Sequence, residues 1–223
     1  MGKSQLVLKT TPQELAAQVK FLAAPKIQII LDKASIQIEK RIADLLRSSI
    51  ETHSVIESLG DAPNIESLQV AFGLTDGMAS EAASQIVNAV ISAVRVERRK
   101  SRRAIIGSLV VNVDPVLATS LVLSTVPAST YTSNGHLISW LDWLLTKGTQ
   151  VIIGGYEVIS TVRDNAKSRS GGGFMLKTGS QAMSFSVPSK FAGTAGDNFI
   201  TKTIFASRPN IENIIRTEIT RLF

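Results

Sequence analysis

The residues able to do chemistry on their own are few, and their spacing is poor for it. The two histidines, His53 and His136, stand about eighty positions apart, and neither has a neighbour at metal-ligand spacing. There is no cysteine, which excludes a disulfide scaffold, thiolate zinc sites and cysteine catalysis. No complete Walker sequence is present. "GSLVV" lacks the second glycine of a nucleophile elbow. The carboxylates of the second half are Asp114, Asp142, Glu157, Asp164, Asp197, Glu212 and Glu218. None forms a near-sequence pair suited to acid–base work. These residues predict a protein that is not an enzyme and that holds no metal or other cofactor.

Charge and glycine give the other two candidates. The formal net charge is +6. The segment "RVERRKSRR", residues 95–103, sets Arg95, Arg98, Arg99, Lys100, Arg102 and Arg103 against Glu97 alone, so it supplies nearly all of that excess. Such a cluster can meet nucleic acid or an acidic partner. It can equally close a helix, where cations favour the negative end of the dipole. The glycine run "SRSGGGF" fails the dinucleotide test, because it does not follow a strand and open a helix. Its glycines fit a flexible loop or positive φ.

The elements that must position these residues follow from periodicity. Thr11, Pro12 and Glu14 have the spacing of a capped helix start. Pro25 is expected to open a second helix, over about 26–51 and roughly 39 Å long at 1.5 Å per residue. Its face is Ile27, Leu31, Ala34, Ile38, Ile42 and Leu45. Residues 53–64 read as a connection. A short helix through Leu68 and Phe72 should stop at Gly73. The next, starting near Ser80 or slightly earlier, carries the stripe Ala79, Ala82, Ile86, Ala89, Val90, Ala93 and Val94, and runs into the basic cluster.

Residues 104–113 read as a buried strand. Asp114-Pro115 then caps and opens a short helix. "HLISWLDWLLTKG" reads as an amphipathic helix ending at Gly148, and 149–161 as a strand interrupted at Gly154-Gly155. "GFMLKT" and "AMSFSVP" are expected to pair as a hairpin joined near Gly179. Thr194 or Asp197 should cap a helix, and Pro209 should open a last one. The fold class is therefore α+β: N-terminal helices packed with a small mixed or antiparallel sheet, then C-terminal helices. Residues 1–60 are read as an N-terminal helical region and 61–223 as an α+β core with the C-terminal helices, together one structural unit. No apolar run approaches the roughly 18 residues of a membrane span, and no leader pattern opens the chain. Both predict a soluble protein.

Four segments then carry a resemblance: "WLDWLLTKG" (140–148), "IIGGY" (152–156), "RSGGGFM" (169–175) and "FSVPSKFAGTAGDNFIT" (185–201). Over about residues 100–205 the chain resembles the head–tail neck, or tail-completion, proteins of tailed bacteriophages. Phe185 takes the place of an expected Trp. The resemblance implies a structural virion protein that forms a homo-oligomeric ring, six-fold favoured and twelve-fold as the alternative. The ring would join the head-side connector to the tail and surround the DNA channel, after assembly in the host cytoplasm. It implies no catalytic residues. The alternatives are a tail terminator capping the tail tube, and a basic nucleic-acid-binding protein. Within this reading the 95–103 cluster faces a subunit, an acidic partner or DNA. The loop Arg169, Ser170, Gly171, Gly172 and Gly173 becomes a subunit contact, with Arg169 as its anchoring charge. Trp140, Trp143 and Tyr156 offer contact area or ordinary core packing.

Overall fold

The computed structural model describes residues 12–61, 66–99, 108–125, 129–131, 137–160, 173–178 and 184–221. The helices are α1 (Pro12–Glu51), α2 (Ser54–Leu59), α3 (Leu68–Phe72), α4 (Asp76–Ser92), α5 (Pro115–Thr125), α6 (Trp140–Thr146) and α7 (Phe199–Thr220). The strands are β1 (Val94–Arg99), β2 (Ser108–Val113), β3 (Thr130–Tyr131), β4 (Leu137–Ile138), β5 (Val151–Gly154), β6 (Tyr156–Ser160), β7 (Gly173–Lys177) and β8 (Ser184–Ser186). The class is α+β.

Two compact units divide the chain. One comprises Met1–Arg41, Arg95–Asn112 and Glu212–Phe223; the other comprises Ile42–Val94 and Val113–Ile211. One boundary between the units falls inside α1, between Arg41 and Ile42.

The longest element departs from the sequence expectation. Instead of two helices meeting at Pro25, one 40-residue helix runs through it, about 60 Å long. α7 likewise runs through Pro209 as one helix, where two were expected. A proline inside a helix leaves the carbonyl four residues earlier without its donor. Those residues are Phe21 and Phe205, and both are exposed, so water can serve the bare carbonyls. Leu31, Ala34, Ile38, Ile42, Leu46 and Ile50 are buried at steps of three and four along α1. The buried stripe passes through Leu46 where Leu45 was expected.

In the larger unit, the 53–64 segment is not only a connection. It contains α2, whose first turn is closed by His53 Nδ1 accepting from the Val55 N–H at 3.2 Å. Ser58 Oγ accepts from the Leu68 N–H and ties α2 to α3. α3 is capped by Ser67 and stops at Gly73 as expected, with φ +63°. α4 opens at Thr75, earlier than Ser80, because the Thr75 hydroxyl accepts from the Met78 N–H. Every member of its predicted stripe, Ala79 to Val94, is buried. α5 begins as expected: Asp114 Oδ1 accepts from the Val116 and Leu117 amides.

The strands pair differently from expectation. β7 and β8 do not form a hairpin with each other. β6 pairs antiparallel with β7, from Tyr156↔Lys177 to Ser160↔Gly173. β5 pairs antiparallel with β8, with a register shift between Val151 and Ile153. Gly155, at φ +78°, separates β5 from β6, so one predicted strand serves two partners. β2, expected to be buried, alternates between exposed and half-buried residues as it pairs with β1.

Candidate functional surfaces

Two of the sequence pieces, 140–148 and 185–201, meet at a corner between α6 and α7. Gly148, at φ +60°, ends the α6 region, and its N–H donates to the Gly193 carbonyl at 2.8 Å. The Gly193 N–H donates to the Leu144 carbonyl at 2.9 Å. Gly193 therefore closes the last turn of α6 from outside the helix. It also lies directly against Asn198: a Cβ there would meet Asn198 Cβ at 2.6 Å and Cα at 2.8 Å.

Asn198, fully buried, caps α7. Its Oδ1 accepts from the Ile200 and Thr201 amides at 3.0 and 3.1 Å, and its Nδ2 donates to the Thr194 carbonyl at 3.2 Å. The Thr201 hydroxyl in turn accepts from the Asn198 N–H at 2.9 Å. This is a reciprocal cap with Thr in the place usually held by Glu or Gln. The expected caps, Thr194 and Asp197, are corrected to Asn198. Asp197 instead faces Lys202 at 3.5 Å on the surface. A carboxylate would bring charge into a buried place that the neutral amide fills with both donor and acceptor.

The aromatic pieces belong to the same packing. Trp140 is buried against Phe72, with ring centroids 5.6 Å apart, and Phe72 meets Phe185 edge-on at 6.4 Å. Phe185, Val187 and Phe191 are buried, while Trp143 is half-buried. Trp140 is thus a core residue. Its Nε1 is buried without a hydrogen-bond partner among the described residues.

Arg95, Arg98 and Arg99 lie on β1, not at the end of a helix. α4 ends at Ser92 with Ala93 as its cap, so the first three arginines do not serve the helix dipole. The arginines at 95 and 98 are exposed. Arg98 faces Asp32 of α1 at 3.4 Å, both side chains about half exposed, a contact worth at most about 1 kcal/mol. In the same unit, Glu218 of α7 is buried and pairs with Arg41 of α1. Lys100, Arg102 and Arg103 lie outside the described residues, as do Arg169, Ser170, Gly171 and Gly172; Gly173 opens β7.

Of the two histidines, His53 is held in packing and capping, and His136 lies outside the described residues. His53 stacks on Phe199 at 5.3 Å while capping α2. Burial lowers its pKa below the ordinary 6.5; Glu57 opposes this and Lys202 adds to it. An imidazole accepting a backbone N–H at Nδ1 must be unprotonated there. Among the described residues, no group of three or more His, Asp or Glu is gathered to hold a metal. No helix among them is long and apolar enough to cross a membrane.

One surface escaped the sequence reading. Leu15, Leu22, Ile29 and Ile36 of α1 are exposed large apolar residues. Their signal, a spacing of seven, was legible in the sequence but stood beside the stronger buried stripe. Comparisons of the chain with protein-family models, with curated proteins and with solved structures gave no match.

Proposed function

We propose that this chain is a structural, non-enzymatic component of the head–tail junction of a tailed bacteriophage, assembled as a ring around the DNA channel. The observation that carries the reading is the corner at Gly193. The residues bearing the resemblance are spent on packing and backbone closure: Trp140, Gly148, Phe185, Gly193 and Asn198. A sequence pattern whose described residues fix a rigid corner suits a scaffold whose task is shape.

The exposed arginines of β1 give the ring a sequence-independent way to meet DNA, since phosphate contacts carry no base information. Neighbouring connector and tail proteins are its other partners. The test is a cryo-EM map of the intact particle. The reading expects several copies in cyclic arrangement about the DNA axis between head and tail. One isolated copy, or a position away from that axis, would overturn it.

A further inference from the structure

α1 has two apolar faces, and among the described residues only one of them is covered. The covered face steps through Leu31, Ala34, Ile38, Ile42, Leu46 and Ile50. The other repeats every seven residues: Leu15, Leu22, Ile29 and Ile36 are 46, 73, 56 and 61% exposed. At about 100° per residue, the centres of the two faces are roughly opposite on the helix. Val19, 58% exposed, lies beside Leu15 and Leu22 on the uncovered face.

A strict seven-residue apolar repeat is the pattern of a coiled-coil seam rather than of a helix lying on a globular core. With Leu15, Leu22, Ile29 and Ile36 at the d positions, the a positions are Val19, Lys26, Lys33 and Lys40. All three lysines are exposed. Lysine at a fits a two-stranded seam, where the stem covers apolar surface and the ammonium reaches the edge. In a larger bundle the same ammonium would be enclosed.

The flanks say which helix fits. The g positions preceding Lys33 and Lys40 are Asp32 and Glu39. In a parallel, in-register pair, an a residue of one helix lies beside the g residue that precedes the matching a position on the other. Each of these lysines then meets an acid of the second helix, and each acid a lysine, by two-fold symmetry. Pro25 falls at g, off the apolar line.

The geometry points to a second copy of this chain as the occupant: α1 pairs with α1, parallel and in register, through residues 15–40. The inference does not rest on the neck reading, because the helix face and its charges are there whatever the protein assembles into.

The absence of cysteine makes the test direct. Ile36→Cys and Leu22→Cys are made singly, with the exposed Ser124→Cys of α5 as control. The purified full-length variants are oxidised and run without reductant, with circular dichroism confirming helix content. Ile36→Cys and Leu22→Cys should each give mostly covalent dimer, and Ser124→Cys should stay monomeric. Dimer no more abundant than in the control overturns the proposal. So does efficient cross-linking only between a mixture of the Leu22 and Ile36 variants, which reports an antiparallel pair.

A second arm reads the charges. In sedimentation, Lys40→Glu removes two symmetry-related ion pairs and should weaken self-association by about five- to thirty-fold, each exposed pair contributing up to about five-fold. The exchange Glu39→Lys with Lys40→Glu should restore it. Equal association of all three proteins overturns the register. A particle without cyclic copies would defeat the neck reading and leave the cross-link result standing.

Discussion

Replacing Gly193 by Ala tests the corner with a single methyl group. That methyl would sit 2.6 Å from Asn198 Cβ, 2.8 Å from its Cα and 3.2 Å from the Leu144 carbonyl oxygen. None of these atoms is the end of a flexible side chain, so the clash is relieved only by moving the start of α7 away from the end of α6. Overpacking of this kind costs about 1–3 kcal/mol. The movement also stretches the bonds Gly193 makes to Leu144 and Gly148, and it disturbs the Asn198 cap, worth about 1 kcal/mol. The expected loss is therefore about 2–4 kcal/mol. For a chain of this size that lowers the thermal midpoint on the order of 5–10 °C. The control is Gly196→Ala, three residues on, where a Cβ meets nothing within 4 Å; it should change stability by less than about 0.5 kcal/mol. Thermal melts followed by circular dichroism give the midpoints, and hydrogen exchange at the Ile200 and Thr201 amides reports the cap. A Gly193→Ala protein that melts within a degree of the parent, with those amides still protected, would refute the reasoning.

Two further expectations rest on named charges. The lowered pKa of His53 makes the unfolded chain bind the proton first as pH falls. Stability should therefore be full above about pH 6.5 and decline as pH drops through that value, until the folded imidazole also protonates. His53→Asn keeps a side-chain acceptor for the cap and removes the titration, so urea unfolding between pH 7.5 and 5.5 should show a flatter profile; equal slopes would exclude the effect. Reversing Arg98, Arg99 and Arg102 to Glu should impair particle assembly or genome retention while the isolated subunit still folds; a normal infectious yield would leave the cluster without a role.

Local order was readable where one face of one element decided it. The α4 stripe was legible because alanines and β-branched residues recur at helical spacing, and each of them is buried. Gly73 and Asp114 were legible because a left-handed stop and an N-cap are set by a few neighbouring residues. The prolines at 25 and 209 misled because their cost depends on solvent: beside exposed Phe21 and Phe205 the orphaned carbonyls reach water. The pairing of β5 with β8 and of β6 with β7 was not legible. Gly155 divides one apolar run, and the choice of partner depends on contacts made across thirteen to thirty-five residues. "FAGT" and "DN" could be read as a corner, yet not which residue caps it. Thr194, Asp197 and Asn198 all have capping chemistry, and only burial against Gly193 selects the amide.

The two interfaces proposed for this chain make different demands on symmetry, and together they constrain the assembly. A ring closes through head-to-tail contacts between unlike patches, so each copy uses one surface forward and another backward. The α1 seam is different in kind. The same face of the same helix meets itself, which requires a two-fold axis along the helix pair. Adjacent copies in a simple six-fold ring are not related that way. If both contacts operate in one particle, the repeating unit is a pair of copies, and a six-fold ring built from such pairs holds twelve chains. Copy number and rotational order would then differ by a factor of two. The lysines at the a positions are central to this argument. On the proposed pairing, lysine at a favours two strands over a larger bundle, which would make the unit a pair.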